Sequence, residues 1–314
     1  MHYRNRPAVS ADFILQQRSQ CQSQGKGYNI LRVCGAIVMD TIVGNYILNH
    51  YEIEIRKSIE YRFNTSEYSL YEVIRVIDGV LLFLDDHLDR LDAGIRLLGM
   101  RIAYDRLILR SALQRLIIAS EQFTGNIKLL FKSSHQKTLF AAYFIPHSYP
   151  GKKLYDLGVI LGLLLADRPD PQLKQLAVSE RIRFKLDEIK KTSEAYEVLL
   201  VNHKGFITEG SKSNFFLIKG NSLFSAPENE ILSGITRKYV LSIARQEGIE
   251  MINTHIKPDD LGVYEAAFIC GTSPKILPVS KIDKFQFMSD HSIIRLIKNR
   301  YNSIIQDYIK NWKF

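Results

Sequence analysis

Short apolar runs and amphipathic stretches alternate along the chain from about residue 39 onward. Residues 71–77 are rich in β-branched side chains, and residues 80–84 form a second apolar run. Asp78 and Gly79 lie between the two runs, and this dipeptide favours the positive φ angles of a tight hairpin turn. The pattern therefore predicts a β-hairpin over residues 71–84.

Two helices and three further strands are predicted around this hairpin. Asp85 or Asp86 is expected to cap the first helix, in which Leu91, Ile95 and Leu98 recur at helical spacing. The second amphipathic helix is predicted over residues 105–122. The strands are predicted over residues 46–49, 126–131 and 138–145.

The pattern breaks at residues 146–151, which include two prolines, and this break predicts a domain boundary. Beyond it we expect strands at residues 157–165, 197–201, 205–209, 214–218 and 266–270. We also expect three helices. The first is a charged helix at 179–194, the second opens at Ser233 and ends before Gly248, and the last has an apolar stripe from Ile293 to Trp312. The predicted domains are residues 39–148 and 149–314. Residues 1–38 show no sustained periodicity, and we interpret them as a disordered leader or a mis-assigned start, with Met39 as an alternative start.

Composition and charge exclude several classes of protein. The 314 residues are 46% hydrophobic and 24% charged, which is typical of globular proteins and not of disordered or collagen-like chains. The formal net charge is +9, but residues 1–38 carry five basic residues against Asp12 alone, which leaves +5 for the rest of the chain. We therefore expect no nucleic-acid partner, and a non-catalytic binding protein is the alternative outside the enzymes.

Other common sites and locations are also excluded. No apolar run reaches the roughly 18 residues of a membrane-spanning helix, so we expect no membrane partner. Cys21, Cys34 and Cys270 have no metal-binding spacing, and we interpret them as reduced thiols, which predicts a cytoplasmic location. The chain contains no glycine-rich nucleotide motif and no metal-ligand motif, so no metal site is expected.

Three segments could present hydroxyl or backbone N–H groups to an anion. They are TEGSKSN at residues 208–214, LSGITR at residues 232–237 and GTSP at residues 271–274. The second segment is a glycine-containing turn into a helix, whose first N–H groups and positive dipole end favour a phosphate. Each segment alone has an ordinary structural explanation, but their occurrence together and in this order indicates a functional site.

These motifs resemble those of the class IV aminotransferases, which are pyridoxal-phosphate enzymes of fold type IV. The small-domain signature is YEVIRV at residues 71–76 with HLDRL at 87–91, and the large-domain signatures are ITEGSKSNFF at 207–216, LSGITR at 232–237 and GTS at 271–273 with PV at 278–279. The resemblance covers about residues 44–284. It implies a mixed α/β (α+β) fold of two domains with the cofactor between them, and a homodimer. The relatives are branched-chain and D-amino-acid aminotransferases and aminodeoxychorismate lyases.

The resemblance also implies roles for individual residues. Pyridoxal phosphate acts as an electron sink, and a carboxylate against its ring nitrogen makes that sink effective; Glu209 holds the position of this carboxylate. The implied phosphate ligands are Arg90, Ile235, Thr236 and Thr272. The residues implied to contact substrate or cofactor are Tyr71, Ser211, Ser213 and Ser273.

A lysine must bind the cofactor as a Schiff base and then move the proton. We expect Lys174 in this role, because it precedes Glu209 by 35 positions and follows the loop at residues 169–171. Lys185 is the weaker candidate, because it lies in the charged helix, where a solvated face is the ordinary explanation.

The predicted function is amino-group transfer between a small amino acid and a 2-oxo acid. The loop before Tyr71 lacks the glycine that the family often has there, which leaves the amino-acid specificity and the choice between L- and D-substrates open. The alternative within the family is a 4-amino-4-deoxychorismate lyase, although Glu72 after Tyr71 favours the aminotransferase branch.

Overall fold

The computed structural model describes residues 42–49, 51–55, 70–100, 104–134, 137–176, 178–179, 182, 185–186 and 194–312. The leader at residues 1–38 and most of the charged helix predicted at residues 179–194 lie outside the described residues. Ile182 and Leu186, within the range of that helix, are helical and buried.

A six-stranded sheet contains all the described strands before residue 146. Its strands are β1 (Val43–Asn49), β2 (Glu52–Ile55), β3 (Leu70–Ile77), β4 (Val80–Leu81), β5 (Gly125–Ser134) and β6 (Lys137–Ile145). Their order across the sheet is β2-β1-β6-β5-β3-β4, and every neighbouring pair is antiparallel. Two helices pack on one face of this sheet, α1 (Leu84–Leu97) and α2 (Arg106–Ser120), and the core between them includes Ile74, Leu88, Leu113 and Leu129.

A nine-stranded sheet contains the strands after residue 158. They are β7 (Val159–Leu165), β8 (Glu197–Val201), β9 (Ile207–Gly210), β10 (Asn214–Lys219), β11 (Ser222–Ser225), β12 (Glu250–Asn253), β13 (Ala266–Gly271), β14 (Lys275–Ile282) and β15 (Phe285–Gln286). The order is β12-β11-β10-β13-β14-β7-β8-β9, with β15 paired to β14, and the pairs β11/β12, β14/β7 and β7/β8 are parallel. The two sheets lie on either side of the predicted boundary at residues 148 and 149, and the division into domains itself stays a prediction.

Three more helices accompany the second sheet: α3 (Lys152–Leu157), α4 (Ile235–Gln246) and α5 (Ser292–Lys310). Phe216 and Phe268 of one sheet face pack with residues of α4 and α5, and Phe215 and Leu277 of the other face belong to a separate core. The apolar stripe of the last helix therefore docks on a core, with Ile297 and Tyr301 buried there. Among the helices in the described ranges, none combines the length and apolar character needed to cross a bilayer.

The hairpin prediction is confirmed at its turn and corrected after it. Asp78 and Gly79 have φ angles of 51° and 78°, as the dipeptide requires. The strand that follows ends at Leu81 and not at residue 84, because Phe83 takes a φ of 53° and its ring packs 4.3 Å from the ring of Tyr239. Phe83 is consequently the N-cap residue of α1, and the prediction of an aspartate cap was wrong.

Two other element boundaries differ from the prediction. Gly234, not Ser233, is the N-cap residue of α4, because the Ser233 hydroxyl donates to Gln172 Oε1 at 2.9 Å instead of capping the helix. Gly248 follows the helix with a φ of 67°, which confirms the predicted glycine at that end. The strand predicted from residue 157 begins at Val159, because Leu157 ends α3 and Gly158 has a φ of 76°.

Candidate active site

The residues singled out from the sequence meet where β3 and α1 of the first sheet approach three segments of the second. These segments are the end of β9, the start of α4 and the turn between β13 and β14. Direct contacts cross at this place: Arg90 of α1 donates to the carbonyl of Ser233 at 3.1 Å, and Arg75 of β3 donates to the carbonyl of Ser273 at 3.1 Å.

Arg90 is fixed by a buried carboxylate whose role in the site was not predicted from the sequence. Its Nε and Nη2 atoms lie 2.8 and 2.5 Å from the two oxygens of Glu72, which is 1% exposed. His87 Nδ1 lies 2.7 Å from the same carboxylate. Burial alone would raise the pKa of Glu72, but the charge of Arg90 and these hydrogen bonds lower it to about 2, so the carboxylate is ionised.

The start of α4 presents unpaired backbone N–H groups beside Arg90. The first hydrogen bond within the helix runs from the N–H of Lys238 to the carbonyl of Gly234, so Ile235 and Thr236 have no helical acceptor for theirs. A Cβ atom on Gly234 would lie 2.0 Å from Asn214 Oδ1, so this close turn requires glycine. Such a helix start beside a guanidinium group suits a phosphate.

One pocket brings together three of the four predicted phosphate ligands. Ile235, Thr236 and Thr272 line it, and Arg75 and His87 complete its polar wall. Arg90 is outside this lining but reaches the same turn through the Ser233 carbonyl. The structure thus gathers hydroxyl, amide and guanidinium donors from both sheets around one space.

Glu209 is buried at the end of β9, and one of its two carboxylate oxygens accepts hydrogen bonds. One oxygen, Oε2, accepts hydrogen bonds from the N–H of Leu232 at 3.0 Å and from Asn214 Nδ2 at 3.3 Å. The other, Oε1, lies 2.8 Å from Nε of Arg168 but makes no well-aligned hydrogen bond among the described residues. Burial raises the pKa of Glu209, and the charge of Arg168 opposes that rise. Oε1 is therefore available to a further donor.

Lys174 lies against Tyr71, whereas Lys185 is exposed. The Lys174 Nζ atom is 4.8 Å from the centre of the Tyr71 ring. The backbone carbonyl of Lys174 accepts a hydrogen bond from the N–H of Tyr71 at 3.0 Å. Burial lowers the pKa of the Lys174 ammonium group, and the charge of Arg90 acts in the same direction. A larger fraction of neutral amine follows at neutral pH. The Lys185 side chain lies on the surface.

Tyr71 faces several cations. Its hydroxyl donates to Ser179 Oγ at 2.8 Å. Burial on its own raises the pKa of this hydroxyl, but the charges of Lys174, Arg168 and Lys128 outweigh it, and the pKa of Tyr71 is lowered. The structure thus places Tyr71 next to the lysine and not at the phosphate end.

Ser211 and Ser213 are both buried in the turn after Glu209. The Ser211 hydroxyl donates to Glu197 Oε1 at 3.2 Å, and the N–H of Lys212 donates to the same atom at 2.5 Å. Glu197 is 4% exposed, and burial raises its pKa. The Ser211 hydroxyl is therefore directed toward Glu197 of β8, and its contact with substrate or cofactor stays a prediction.

Five polar residues of this region were not predicted as site residues from the sequence: Glu72, Arg75, His87, Arg168 and Glu197. One signal could have found two of them. Glu72 shares the inward face of β3 with Leu70 and Ile74, and a charged residue on an apolar face requires a partner. His87 and Arg90 stand three positions apart on the next helix and supply that partner. Among the described residues, no group of three or more His, Cys, Asp or Glu side chains could hold a metal ion.

Comparison with known proteins relates this site to one family. The profile of the family described as amino-transferase class IV matches residues 69–282. The chain is 29% identical over 230 residues to D-alanine aminotransferase of Bacillus licheniformis, covering 68% of this chain and 78% of the relative. It is also 29% identical over 229 residues to a putative branched-chain-amino-acid aminotransferase of Methanocaldococcus jannaschii, with the same two shares covered.

Solved structures share the fold. Branched-chain amino acid aminotransferase of Escherichia coli superposes with a TM-score of 0.73 at 19% identity, covering 83% of this chain and 95% of that one. The branched-chain amino acid aminotransferase of T.th., solved with pyridoxamine 5'-phosphate, gives a TM-score of 0.72 at 19% identity, covering 85% and 96%. The mixed fold with its two sheets is therefore the fold of these enzymes, as the sequence motifs predicted.

Proposed function

Because the chain belongs to the class IV aminotransferase family, we propose that it transfers an amino group between an amino acid and a 2-oxo acid with pyridoxal phosphate as cofactor. The proposal is supported by the gathering of Lys174, Tyr71, Glu209 and Arg168 at one place in the structure. It is supported as well by the names of the similar proteins, which are aminotransferases.

The residues present fit the phosphate of this cofactor. Arg90 supplies a guanidinium group held by Glu72, and Ile235 and Thr236 supply N–H groups without helical acceptors. Thr272 shares a pocket with the latter two. Hydroxyl, amide and guanidinium donors converging at a helix start are what a phosphate dianion requires.

The ring nitrogen fits Glu209. The buried Oε1 atom lacks a well-aligned donor among the described residues, and a protonated ring nitrogen would supply one. Arg168 lies 2.8 Å from the same oxygen, and its positive charge opposes the burial that raises the pKa of Glu209. We therefore assign Glu209 to the ring nitrogen and Arg168 to the support of its charge.

When bound, the cofactor supplies an electron sink for the pair released from the substrate α-carbon. The side chains of this chain supply the rest. Lys174 provides an amine whose pKa is lowered by burial, so it can attach to a carbonyl carbon and later carry a proton at Nζ. Tyr71 packs against that amine, and the three cations around its hydroxyl favour anionic groups at this end of the site.

The observation that carries this proposal is the position of Lys174 Nζ, 4.8 Å from the ring of Tyr71 and close enough to act electrostatically on Glu209. Borohydride reduction of the protein with pyridoxal phosphate, followed by peptide mass mapping, is expected to find the cofactor on Lys174. Lys174→Ala should abolish this labelling and Lys185→Ala should leave it intact. Label on another lysine would contradict the assignment.

The alternative reaction, cleavage of 4-amino-4-deoxychorismate, is not favoured, because the similar proteins are aminotransferases. The relatives include enzymes named for D-alanine and for branched-chain amino acids, so the substrate is best found by a screen of L- and D-amino donors. Pyruvate release from 4-amino-4-deoxychorismate, without transamination of any donor, would reverse this preference.

We also propose that the chain forms a homodimer and works in the cytoplasm. Exposed apolar side chains on α1 and α2, namely Leu97, Leu107 and Ile118, support an interface. The free, buried thiol of Cys270 supports a reducing compartment. Light scattering after size-exclusion chromatography would measure the mass of the assembly.

A further inference from the structure

Three side chains hold the turn that joins β13 to β14. Arg75 Nη1 donates to the carbonyl of Ser273 at 3.1 Å, and Asn126 Nδ2 donates to the hydroxyl of the same serine at 2.9 Å. Tyr155 donates to the carbonyl of Pro274 at 2.9 Å. The turn is therefore fixed from the first sheet and from α3 together.

A hydrogen bond from Tyr149 fixes the orientation of the Asn126 side-chain amide. The hydroxyl of Tyr149 donates to Oδ1 of Asn126 at 3.0 Å. The Arg75 guanidinium stacks on the Tyr149 ring, 3.7 Å from its centre, and a cation there favours the phenol as donor over acceptor. Because the Asn126 amide oxygen accepts this hydrogen bond, the amide nitrogen points toward Ser273. Asn126 is only 3% exposed, so its amide cannot turn to water instead.

The Ser273 hydroxyl therefore accepts a hydrogen bond and keeps its own proton to donate. In the described part of the chain, the Ser273 hydroxyl accepts this hydrogen bond and donates none. Ser273 is only partly buried, and it is the neighbour of Thr272, which lines the pocket with Thr236. The free proton is thus placed beside the space in which cofactor and substrate would bind.

We propose that Tyr149 and Asn126 are positioning residues that hold the Ser273 hydroxyl as a hydrogen-bond donor to the carboxylate of the amino-acid substrate. This inference rests on the proposed function. Arg75 adds positive charge at the same turn, and its Nε atom is buried without a hydrogen-bond partner among the described residues. A hydroxyl donor beside a guanidinium suits an anionic oxygen. The cofactor phosphate has its own donors at Arg90 and at the start of α4.

The test uses the holoenzyme and the fastest amino donor found in the screen. Four single variants are compared. Ser273→Ala removes the hydrogen-bond donor, and Ser273→Thr keeps a hydroxyl. Tyr149→Phe removes only the hydroxyl that orients Asn126 and keeps the ring under Arg75, whereas Tyr155→Phe is the matched control that loosens the same turn without touching Asn126. KM, kcat and the Kd for pyridoxal phosphate are measured for each variant and for the double variant of Ser273→Ala with Tyr149→Phe.

Ser273→Ala is expected to raise KM for the amino acid about tenfold, the cost of one hydrogen bond to a charged group, with kcat and the cofactor Kd changed less than about twofold. Ser273→Thr should restore most of this loss. Tyr149→Phe should raise KM severalfold on the wild-type background and add nothing on Ser273→Ala, because both act on one hydrogen bond. Tyr155→Phe should leave KM within about twofold.

Several outcomes would overturn the inference. An unchanged KM in Ser273→Ala removes the donor role, and a weaker cofactor Kd with unchanged KM assigns the hydroxyl to the phosphate instead. Additive effects of Tyr149→Phe and Ser273→Ala remove the positioning role. If the wild-type protein bound no pyridoxal phosphate, the proposed function would fail as well, which is a different result from normal cofactor binding with unaltered KM.

Discussion

Arg90 and Glu72 form a two-point ion pair that ties α1 to β3. The guanidinium donates through Nε and Nη2 to both carboxylate oxygens, at 2.8 and 2.5 Å, and through Nη1 to the carbonyl of Ser233 at 3.1 Å. His87 Nδ1 lies 2.7 Å from Oε2 of the same carboxylate. The guanidinium is consequently held in place at the start of α4 before an anion binds, which reduces the entropy lost on binding.

Glu72→Gln is expected to weaken the affinity for pyridoxal phosphate about tenfold or more. The neutral amide offers Arg90 only one acceptor oxygen and no charge, and a charge-assisted hydrogen bond contributes roughly 1.5–3 kcal/mol. Fluorescence titration of the cofactor-free protein measures this affinity. Asp85→Asn is the control, because Asp85 also lies on α1 and forms an ion pair, with Arg110 of α2, but its side chain is exposed. Equal affinities for the two variants would contradict the role given to Glu72.

The same carboxylate predicts a loss of stability in acid. The pKa of Glu72 is about 2 in the folded protein against 4.5 ordinarily, so the unfolded chain takes up the proton first as the pH falls. The stabilisation is complete above about pH 4.5 and is lost as the pH falls toward 2, at roughly 1.4 kcal/mol per pH unit at most. Urea unfolding between pH 7 and 2.5 should show this dependence reduced in Glu72→Gln. An identical pH dependence of both proteins would show that another group is responsible.

The close turn before α4 gives a steric prediction. A methyl group on Gly234 would lie 2.0 Å from Asn214 Oδ1, and Asn214 itself donates to Glu209 and to the carbonyl of Leu232. Gly234→Ala should therefore lower the free energy of unfolding by about 1–3 kcal/mol and also weaken cofactor binding. Gly151→Ala is the matched control, because Gly151 is likewise an N-cap residue with negative φ but has open space around it. A Gly234→Ala protein as stable as the control would contradict the contact.

The sequence predicted the elements that local chemistry determines. The turn at Asp78 and Gly79 follows from positive φ angles, and the end of α4 follows from Gly248. The start of α1 was missed because Phe83 adopts a positive φ to pack on Tyr239, a residue more than 150 positions away. Local propensity carries no information about such a contact.

The candidate site shows the same division. The three anion-binding segments could be chosen from the sequence, because hydroxyls and a glycine at a helix start suit a phosphate, and the family resemblance supplied the roles of Arg90 and Glu209. Their supporting partners could not, because Arg168 reaches Glu209 and Asn126 reaches Ser273 only through tertiary packing.

Glu197 accepts two hydrogen bonds from the turn that follows Glu209. Its Oε1 atom accepts the N–H of Lys212 at 2.5 Å and the hydroxyl of Ser211 at 3.2 Å. The turn is tight here, since a Cβ atom on Gly210 would lie 2.6 Å from the same oxygen. Burial raises the pKa of Glu197, and its negative charge in turn contributes to the raised pKa of Glu209. The oxygen and the charge of Glu197 therefore have separable effects.

Glu197→Ala and Glu197→Gln are expected to differ. Alanine removes the acceptor of the Lys212 N–H and leaves the buried Ser211 hydroxyl without its acceptor, which costs about 1–3 kcal/mol, so the free energy of unfolding should fall by at least that amount. Glutamine keeps an acceptor oxygen in the same place and removes only the charge, so it should stay within about 1 kcal/mol of the wild type. Urea unfolding at neutral pH measures both values. Equal destabilisation by the two substitutions would mean that the turn depends on the charge of Glu197 and not on its oxygen as a hydrogen-bond acceptor.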